Sequence, residues 1–366
     1  MKRSLIHVGL DVHQNSIVVA MATRGEPAIV VRSMPNDWSQ LLKTLMGLGH
    51  ISRLRVCYEA GPTGYDLARR LNAAGICCVV IAPSLVPVQK GVRIKTDRRD
   101  AIKLANLHQA GQLVAVTIPD AETEAMRDLE RSRDDAKNAE RAARHQLDKF
   151  LLRQGRTWSQ TRWTHLHWGW IKRQEFPDEA SRRVLADYIR AVQEATARVE
   201  RLEDHIKDLV ETSHLAPLVR ALQALRGVQL ITAVILAAEI GDFARFATPR
   251  QLMAFLGLVP SEDSSGQRRR QGRITRTGNG HARRILTEAA WNYRFVHQPS
   301  RAILKRRESL PPEIVAIAEK AERRLSRRFR HLTNSRKPSQ KVATAIAREL
   351  AGFVWAIARE VTSQAA

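Results

Sequence analysis

Eight apolar residues, Leu185, Tyr188, Val192, Ala195, Val199, Leu202, Ile206 and Leu209, recur in alternating steps of three and four. That spacing returns to one stripe of a helix, the seam along which two helices wind together. It commits residues 178–211 to one long helix whose stripe needs cover. Residues 122–152 have the same texture, rich in charge and Ala with apolar positions at helical spacing. The two long helices pair, either with each other or between subunits, and make residues 121–213 a coiled-coil middle. Between them, RTWSQTRWTHLHWGWIKR interleaves Trp158, Trp163, Trp168 and Trp170 with basic residues and His. Aromatic faces among cations suit base stacking and phosphate contact. Packing of the hairpin tip by the same rings is the alternative.

The residues before this middle read differently. IHVGLDV, SIVVAMAT and PAIVVRSM are short β-rich runs separated by HQN and RGEP, which predicts an antiparallel meander. A helix is expected from about Trp38 to Leu48. RLRVCYEA then reads as a strand ending on Glu59, GYDLARRLNAAG as a helix closed by Gly75, and ICCVVIAP as a buried strand. Thr96 can cap a helix through DRRDAIKLANLHQ, and LVAVTIP is a last short strand near Asp120. Residues 1–120 are therefore a mixed α/β domain. Residues 214–366 read as mostly helical and basic, with helices in LRGVQLITAVILAAEIGDFARF, TPRQLMAFLGL, ARRILTEAAWNYRFV and the segments beyond. Within them VPSEDSSGQRRRQGRITRTGNGH reads as a polar, Gly-bearing loop with many arginines.

With 366 residues and 44% hydrophobic content there is material for two or three domains. The formal net charge of +23 attracts polyanions, of which nucleic acid is the commonest for a compact basic chain. An acidic membrane surface is the competing partner, but the longest apolar runs fall well short of the roughly 20 residues of a membrane span. MKRSLIHVGLDVHQ meets Asp11 too early for a signal peptide, so a cytoplasmic protein is expected. Cys57, Cys77 and Cys78 have no zinc-ligand spacing and read as reduced packing residues on buried strands.

Four acidic residues stand out. Asp97 and Asp100, three apart at the start of a helix, share a face and gain from the helix dipole. Acidic residues are ordinary in a first helical turn. Asp11 and Glu59 are less ordinary, since each sits in or at the end of an apolar strand, where a carboxylate is costly unless paired with a cation or a metal. Four such groups can hold two hard divalent ions roughly 4 Å apart, an arrangement that activates an attacking oxygen and stabilises a leaving one in phosphodiester chemistry. Carboxylate oxygens with phosphate completing the shell favour Mg²⁺.

Asp11, Glu59, Asp97 and Asp100, in the contexts GLDVHQ, YEAGPTGY and KTDRRDAIKLA, resemble the DEDD motif of the insertion-sequence one-ten family of transposases and their Piv-type DNA invertase relatives. GLVPSEDSSG with QGRITRTGNGHARR resembles that family's second conserved block. The resemblance implies a RuvC-like (ribonuclease H-type) N-terminal domain, a coiled-coil middle and a C-terminal helical transposase domain with a serine nucleophile. The family pattern sets that serine before a glycine, which carries over to Ser265, with Ser264 as the alternative. By itself a Ser-Ser-Gly is commonly plain loop, and a serine hydroxyl needs activation before it attacks. Arg268, Arg269, Arg270 and Arg273 flank it as candidates for phosphate contact. The resemblance further implies donor and target DNA, a structured guide (bridge) RNA from the mobile element, a homo-oligomer and a site composed from two subunits. Two departures from the family pattern are Gln229 and Gln267, each where relatives tend to have glycine.

Two other readings are open on the residues alone. A RuvC-like structure-specific nuclease would use the carboxylates and water without Ser265. A basic scaffold for nucleic acid would use none of them catalytically, its acidic residues being helix caps and strand ends.

Overall fold

The computed structural model describes residues 4–87, 96–265, 268, 270–295 and 298–365. Lys95, Gly266, Gln267 and Arg269 lie outside the described residues. The chain divides into two compact units, Met1–Ile118 and Pro119–Ala366.

The first unit is built on a six-stranded sheet. In chain order its elements are β1 (Ile6–Val12), β2 (Ser16–Thr23), β3 (Ile29–Pro35), α1 (Trp38–Leu48), β4 (Leu54–Glu59), α2 (Asp66–Ala73), β5 (Cys77–Ile81), α3 (Asp97–Gln109) and β6 (Ala115–Val116). The sheet order is β3-β2-β1-β4-β5-β6. β1, β2 and β3 form the expected antiparallel meander, whereas β1, β4 and β5 run parallel. The predicted last strand shrinks to two residues, antiparallel to β5. Cys57 and Cys78 are buried free thiols, but Cys77 is exposed, because it opens β5 on the opposite side from Cys78.

Side chains alternate between the two faces of this sheet. Val8, Leu10, Val56, Tyr58 and Val80 pack with Leu41 and Leu45 of α1 and Ala68 and Leu71 of α2. The opposite face is covered by α3, whose Ala101 and Ala105 lie against Val18, Ala20 and Ala22 and whose Leu104 lies against Cys57 and Ile81. Gly9 makes that cover possible: a Cβ there would stand 2.3 Å from the Ala101 carbonyl oxygen and 2.5 Å from the Ala105 nitrogen. Thr96 caps α3, its Oγ1 accepting from the Arg99 N–H at 3.4 Å, as the sequence predicts.

In the second unit the helices are α4 (Ala121–Arg153), α5 (His165–Lys172), α6 (Glu179–Thr212), α7 (Ala216–Leu222), α8 (Leu230–Ile240) and α9 (Pro249–Phe255). A hairpin of β7 (Pro260–Glu262) and β8 (Gln271–Ile274) follows, then α10 (Gly280–Ala290), α11 (Arg301–Arg307), α12 (Pro312–Asn334) and α13 (Ser339–Ala365). α4 and α6 pair with each other and run antiparallel, since Arg133 meets Glu203, Glu140 meets Thr196 and Phe150 meets Tyr188. Leu185, Val192, Val199 and Ile206, one every seven residues, are the buried stripe of α6. Leu209 is exposed and Val210 is buried in its place, because there the helix meets Leu215 and Val219 in a different core. That core is built on α8, apolar nearly all round as buried helices are, and on the apolar face of α13.

The tryptophans at the α4–α6 tip face one another. His167, fully buried, stacks on Trp170 at 5.7 Å and contacts Trp158 and Trp163, and Arg144 lies 5.1 Å over the Trp163 ring. Trp163, Trp168 and Trp170 also back the cluster of Leu147, Phe150 and Ile171. Packing of the tip accounts for these rings.

Candidate active site

Asp11 and Glu59 are placed by strand register. Gly9 pairs with Cys57 and Leu10 with Tyr58 on parallel strands, so the next positions, Asp11 and Glu59, lie side by side where β1 and β4 end. By alternation both share the face of Gly9 and Cys57, the face under α3. The Cys57 thiol donates to the Leu104 carbonyl of α3 at 3.8 Å, and the negative charge of Glu59 adds to the burial that raises the Cys57 pKa. α3 begins at this same edge, and its first turn carries Asp97 and Asp100. Ligand crevices of open α/β sheets form beyond the carboxyl ends of parallel strands, and a helix N-terminus there adds a positive dipole.

Asp11 is more enclosed than Asp97, with 19% of its side chain exposed against 58%. Burial holds its carboxyl above the usual range, His13 opposes that shift, and Asp97 and Asp100 add to it. Among the described residues Asp11 Oδ2 is buried without an aligned hydrogen-bond partner. His13 Nε2 stands 3.3 Å from that oxygen, without hydrogen-bond alignment, and 3.8 Å from Asp97 Oδ1. One ligand atom each from Asp11, His13 and Asp97 lies within 4.8 Å of the others. Two carboxylate oxygens beside an imidazole nitrogen are a set that suits a divalent cation.

Ser265 lies in the second unit, on the connection between β7 and β8. The segment expected to be a loop is a hairpin, short because its strands hold only three and four residues and lack apolar alternation. Thr275 N–H donates to Val259 O at 2.9 Å and Arg276 N–H to Gly257 O at 3.1 Å at its base. Gly257 and Gly278, both with positive φ, let that base press against α9: a Cβ on Gly278 would stand 1.9 Å from the Phe255 carbonyl oxygen. Toward the tip, Ser265 and Arg268 exchange backbone hydrogen bonds of 3.2 and 3.1 Å. The two serines differ. The Ser264 hydroxyl donates to Glu262 Oε1 at 3.0 Å and accepts from the Arg270 N–H at 3.2 Å. Ser265 is exposed, and Arg268, Arg270 and Arg273 are exposed around it.

Residues 8–154 match a family model described as Transposase, of the DEDD type, and residues 219–304 match the model Transposase IS116/IS110/IS902 family. The chain is 41% identical over 362 residues to the putative transposase y4qE of Sinorhizobium fredii, covering 96% of this chain and 88% of that protein. It is 34% identical to the transposase for insertion sequence element IS1533 of Leptospira borgpetersenii, covering 92% of this chain and 99% of that one. The chain belongs to the IS116/IS110/IS902 family of transposases.

As a transposase of an insertion sequence element it is a DNA-cutting enzyme. Transposases of the DEDD type typically use divalent metal ions. Among the described residues of this transposase, no helix is long and apolar enough to cross a membrane. Asp11, Glu59, Asp97 and Asp100 fall within the first matched segment and Ser265 within the second. Gln229 stands at the N-cap of α8, exposed, and its side chain makes no capping bond.

Sequence reasoning missed His13. The available signal was its position two residues past Asp11, which strand alternation turns to the same face. It also missed a buried polar cluster behind the hairpin. Glu239, 1% exposed at its side chain, accepts from Arg131 at 2.7 and 3.0 Å and from Asn279 Nδ2 at 2.5 Å. His281 Nε2 lies 3.1 Å from Glu130, which is fully buried, and the Glu130 bond holds the His281 pKa above its ordinary value. Asn279 also caps α10, its Oδ1 accepting from the Ala282 N–H at 2.9 Å.

Proposed function

We propose that this transposase cuts and rejoins DNA strands through a phosphoserine intermediate on Ser265, at a divalent-metal site held by Asp11, Glu59, Asp97 and Asp100. The observation that carries the reading is the convergence of Asp11 and Asp97 at the end of β1, with a buried Asp11 oxygen that has no aligned hydrogen-bond donor among the described residues. Mg²⁺ is the ion this reading assigns, because the proposed donors are carboxylate oxygens. When bound, it supplies Lewis-acid stabilisation of phosphate charge and activation of the attacking oxygen.

The Ser265 hydroxyl oxygen attacks a backbone phosphorus, an Oγ–P bond forms, one P–O bond of the strand breaks, and the departing oxygen takes up a proton. Reversal by the hydroxyl of another strand restores a phosphodiester and frees the serine, so exchange needs no ATP. Ser265 is favoured over Ser264 because the Ser264 hydroxyl is engaged within the hairpin. Arg268, Arg270 and Arg273 bind the phosphates on either side.

In this reading the first unit is RuvC-like. The order β3-β2-β1-β4-β5, three antiparallel strands followed by two parallel ones, supports that assignment. The domains are residues 1–120, 121–213 as a coiled coil and 214–366. A homo-oligomer composes the site from carboxylates of one subunit and Ser265 of another, and a bridge RNA guides the choice of donor and target DNA. The net charge of +23 is compatible with both nucleic acids.

The test is incubation of the full chain with labelled element-end DNA, Mg²⁺ and the flanking element RNA, followed by a denaturing gel. A strand covalently attached to protein is expected for the native chain and for Ser264→Ala, and none for Ser265→Ala. Cleavage that survives Ser265→Ala without any attached strand would establish the water-only nuclease instead. Activity indifferent to both Mg²⁺ and Asp97→Asn would leave only the scaffold.

A further inference from the structure

His13 belongs to no role described so far, yet its ring stands beside the carboxylates of both Asp11 and Asp97. The backbone around it is fixed. The His13 N–H donates to Ser16 O at 2.9 Å across the β1–β2 turn, and Asn36 Nδ2, just past β3, donates to the His13 carbonyl at 2.8 Å. Strand parity then sends the imidazole to the α3 face. Its Nε2 is 3.3 Å from Asp11 Oδ2 and 3.8 Å from Asp97 Oδ1. Ligands about 2.1 Å from a common ion lie about 3 Å apart when adjacent and about 4.2 Å apart when opposite. The observed spacings fall between these limits.

We propose that His13 Nε2 is a nitrogen ligand of the divalent ion held by Asp11 and Asp97, which raises the affinity of this site for Mn²⁺ more than its affinity for Mg²⁺. The proposal rests on the reading of the carboxylates as a metal site. Oxygen-only sites suit Mg²⁺, which keeps its waters and accepts nitrogen poorly, whereas imidazole is a good donor to later first-row ions. One nitrogen therefore shifts the preference without changing the charge of the carboxylate set.

The experiment uses the chelator-treated full chain and Mn²⁺ itself. Bound Mn²⁺ is counted by loss of the free-ion EPR signal, and pulsed EPR then reads the ¹⁴N coupling of a coordinated imidazole. The native chain is expected to show that coupling. In His13→Gln it is expected to vanish while Mn²⁺ binding weakens about tenfold or more, a scale reached even by changes outside the ligand shell. Competition by Mg²⁺ should change by less than about threefold. Asp11→Asn should abolish Mn²⁺ binding. If Asp11→Asn abolishes binding but the native chain lacks ¹⁴N coupling, or keeps it in His13→Gln, the metal site stands and the role of His13 is refuted. If Asp11→Asn leaves Mn²⁺ binding intact, the carboxylate site itself is refuted. His13 is half-exposed at its side chain, so the Gln variant keeps the fold, and the native-chain spectrum decides the matter without any variant.

Discussion

Gly9 and Ala101 touch through a gap that admits no side chain: a Cβ on Gly9 would stand 2.3 Å from the Ala101 carbonyl oxygen. The contact is between backbone and backbone, so no flexible side chain can yield. Gly9→Ala must lift α3 from β1, at a cost of about 1–3 kcal/mol as for other overpacked positions. Since α3 carries Asp97 and Asp100, the same shift moves them away from Asp11. The expected outcome is a lowered melting temperature together with weakened Mn²⁺ binding. A variant with native melting and native binding would refute the account of how α3 is seated.

Asn279 joins two structures with one amide, capping α10 through Oδ1 and holding Glu239 through Nδ2. Asn279→Ala should cost about 1 kcal/mol for the lost cap and about 1–3 kcal/mol for a buried carboxylate oxygen short of a donor. Asn279→Asp keeps the cap but sets a second carboxylate against Glu239, so it should not rescue stability. Thermal melts of the three chains at neutral pH check the order.

His281 gives this region a pH dependence of known sign. Its pKa is raised above the ordinary 6.5, mainly by the bond to Glu130. A raised folded-state value means that its contribution is full below about pH 6.5 and is lost as pH rises through the folded value. Glu130, its own pKa raised by burial, acts in the same direction at lower pH, whereas Glu239, lowered mainly by Arg131 against the opposing effect of burial, acts oppositely as pH falls below the carboxylate range. Melting temperature measured from pH 6 to 9 should therefore decline in the native chain more steeply than in His281→Gln. Parallel curves would remove His281 from the explanation.

Glu322 on α12 is bonded to Arg226 and, at 3.1 Å, to Arg307, which are 8% and 5% exposed. Arg307 also donates to the Ala224 carbonyl at 3.1 and 3.0 Å. Glu322→Ala leaves two guanidinium groups enclosed without their anion, and should cost about 3–5 kcal/mol. Glu322→Gln, which keeps the shape and part of the bonding, should cost less. Urea unfolding followed by far-ultraviolet circular dichroism ranks the two.

Where one period held over many residues, the sequence was legible. The helix expected from Trp38 to Leu48 has those bounds, and the stripe of α6 is correct from Leu185 to Ile206. It fails at Leu209 because the neighbour of α6 changes there, and periodicity carries no information about which partner a helix meets. The hairpin around Ser265 was read as loop because its pairing depends on backbone bonds and two tight glycines, with no alternating apolar residues to announce a strand. The nearness of Asp11 and Asp97 was legible because carboxylates in costly or dipole-favoured positions are conspicuous. His13 was passed over because a histidine in a polar turn is conspicuous only once the strand's parity is known.

The hairpin also has a consequence for how such proteins diversify. Its ends are clamped by Thr275 to Val259, Arg276 to Gly257, and Gly278 against Phe255, so the base of the hairpin is held by backbone contacts. A one-residue insertion or deletion would rotate the alternation and trade an engaged hydroxyl for a presented one. Length, more than spelling, is the quantity that selection must hold constant in this stretch.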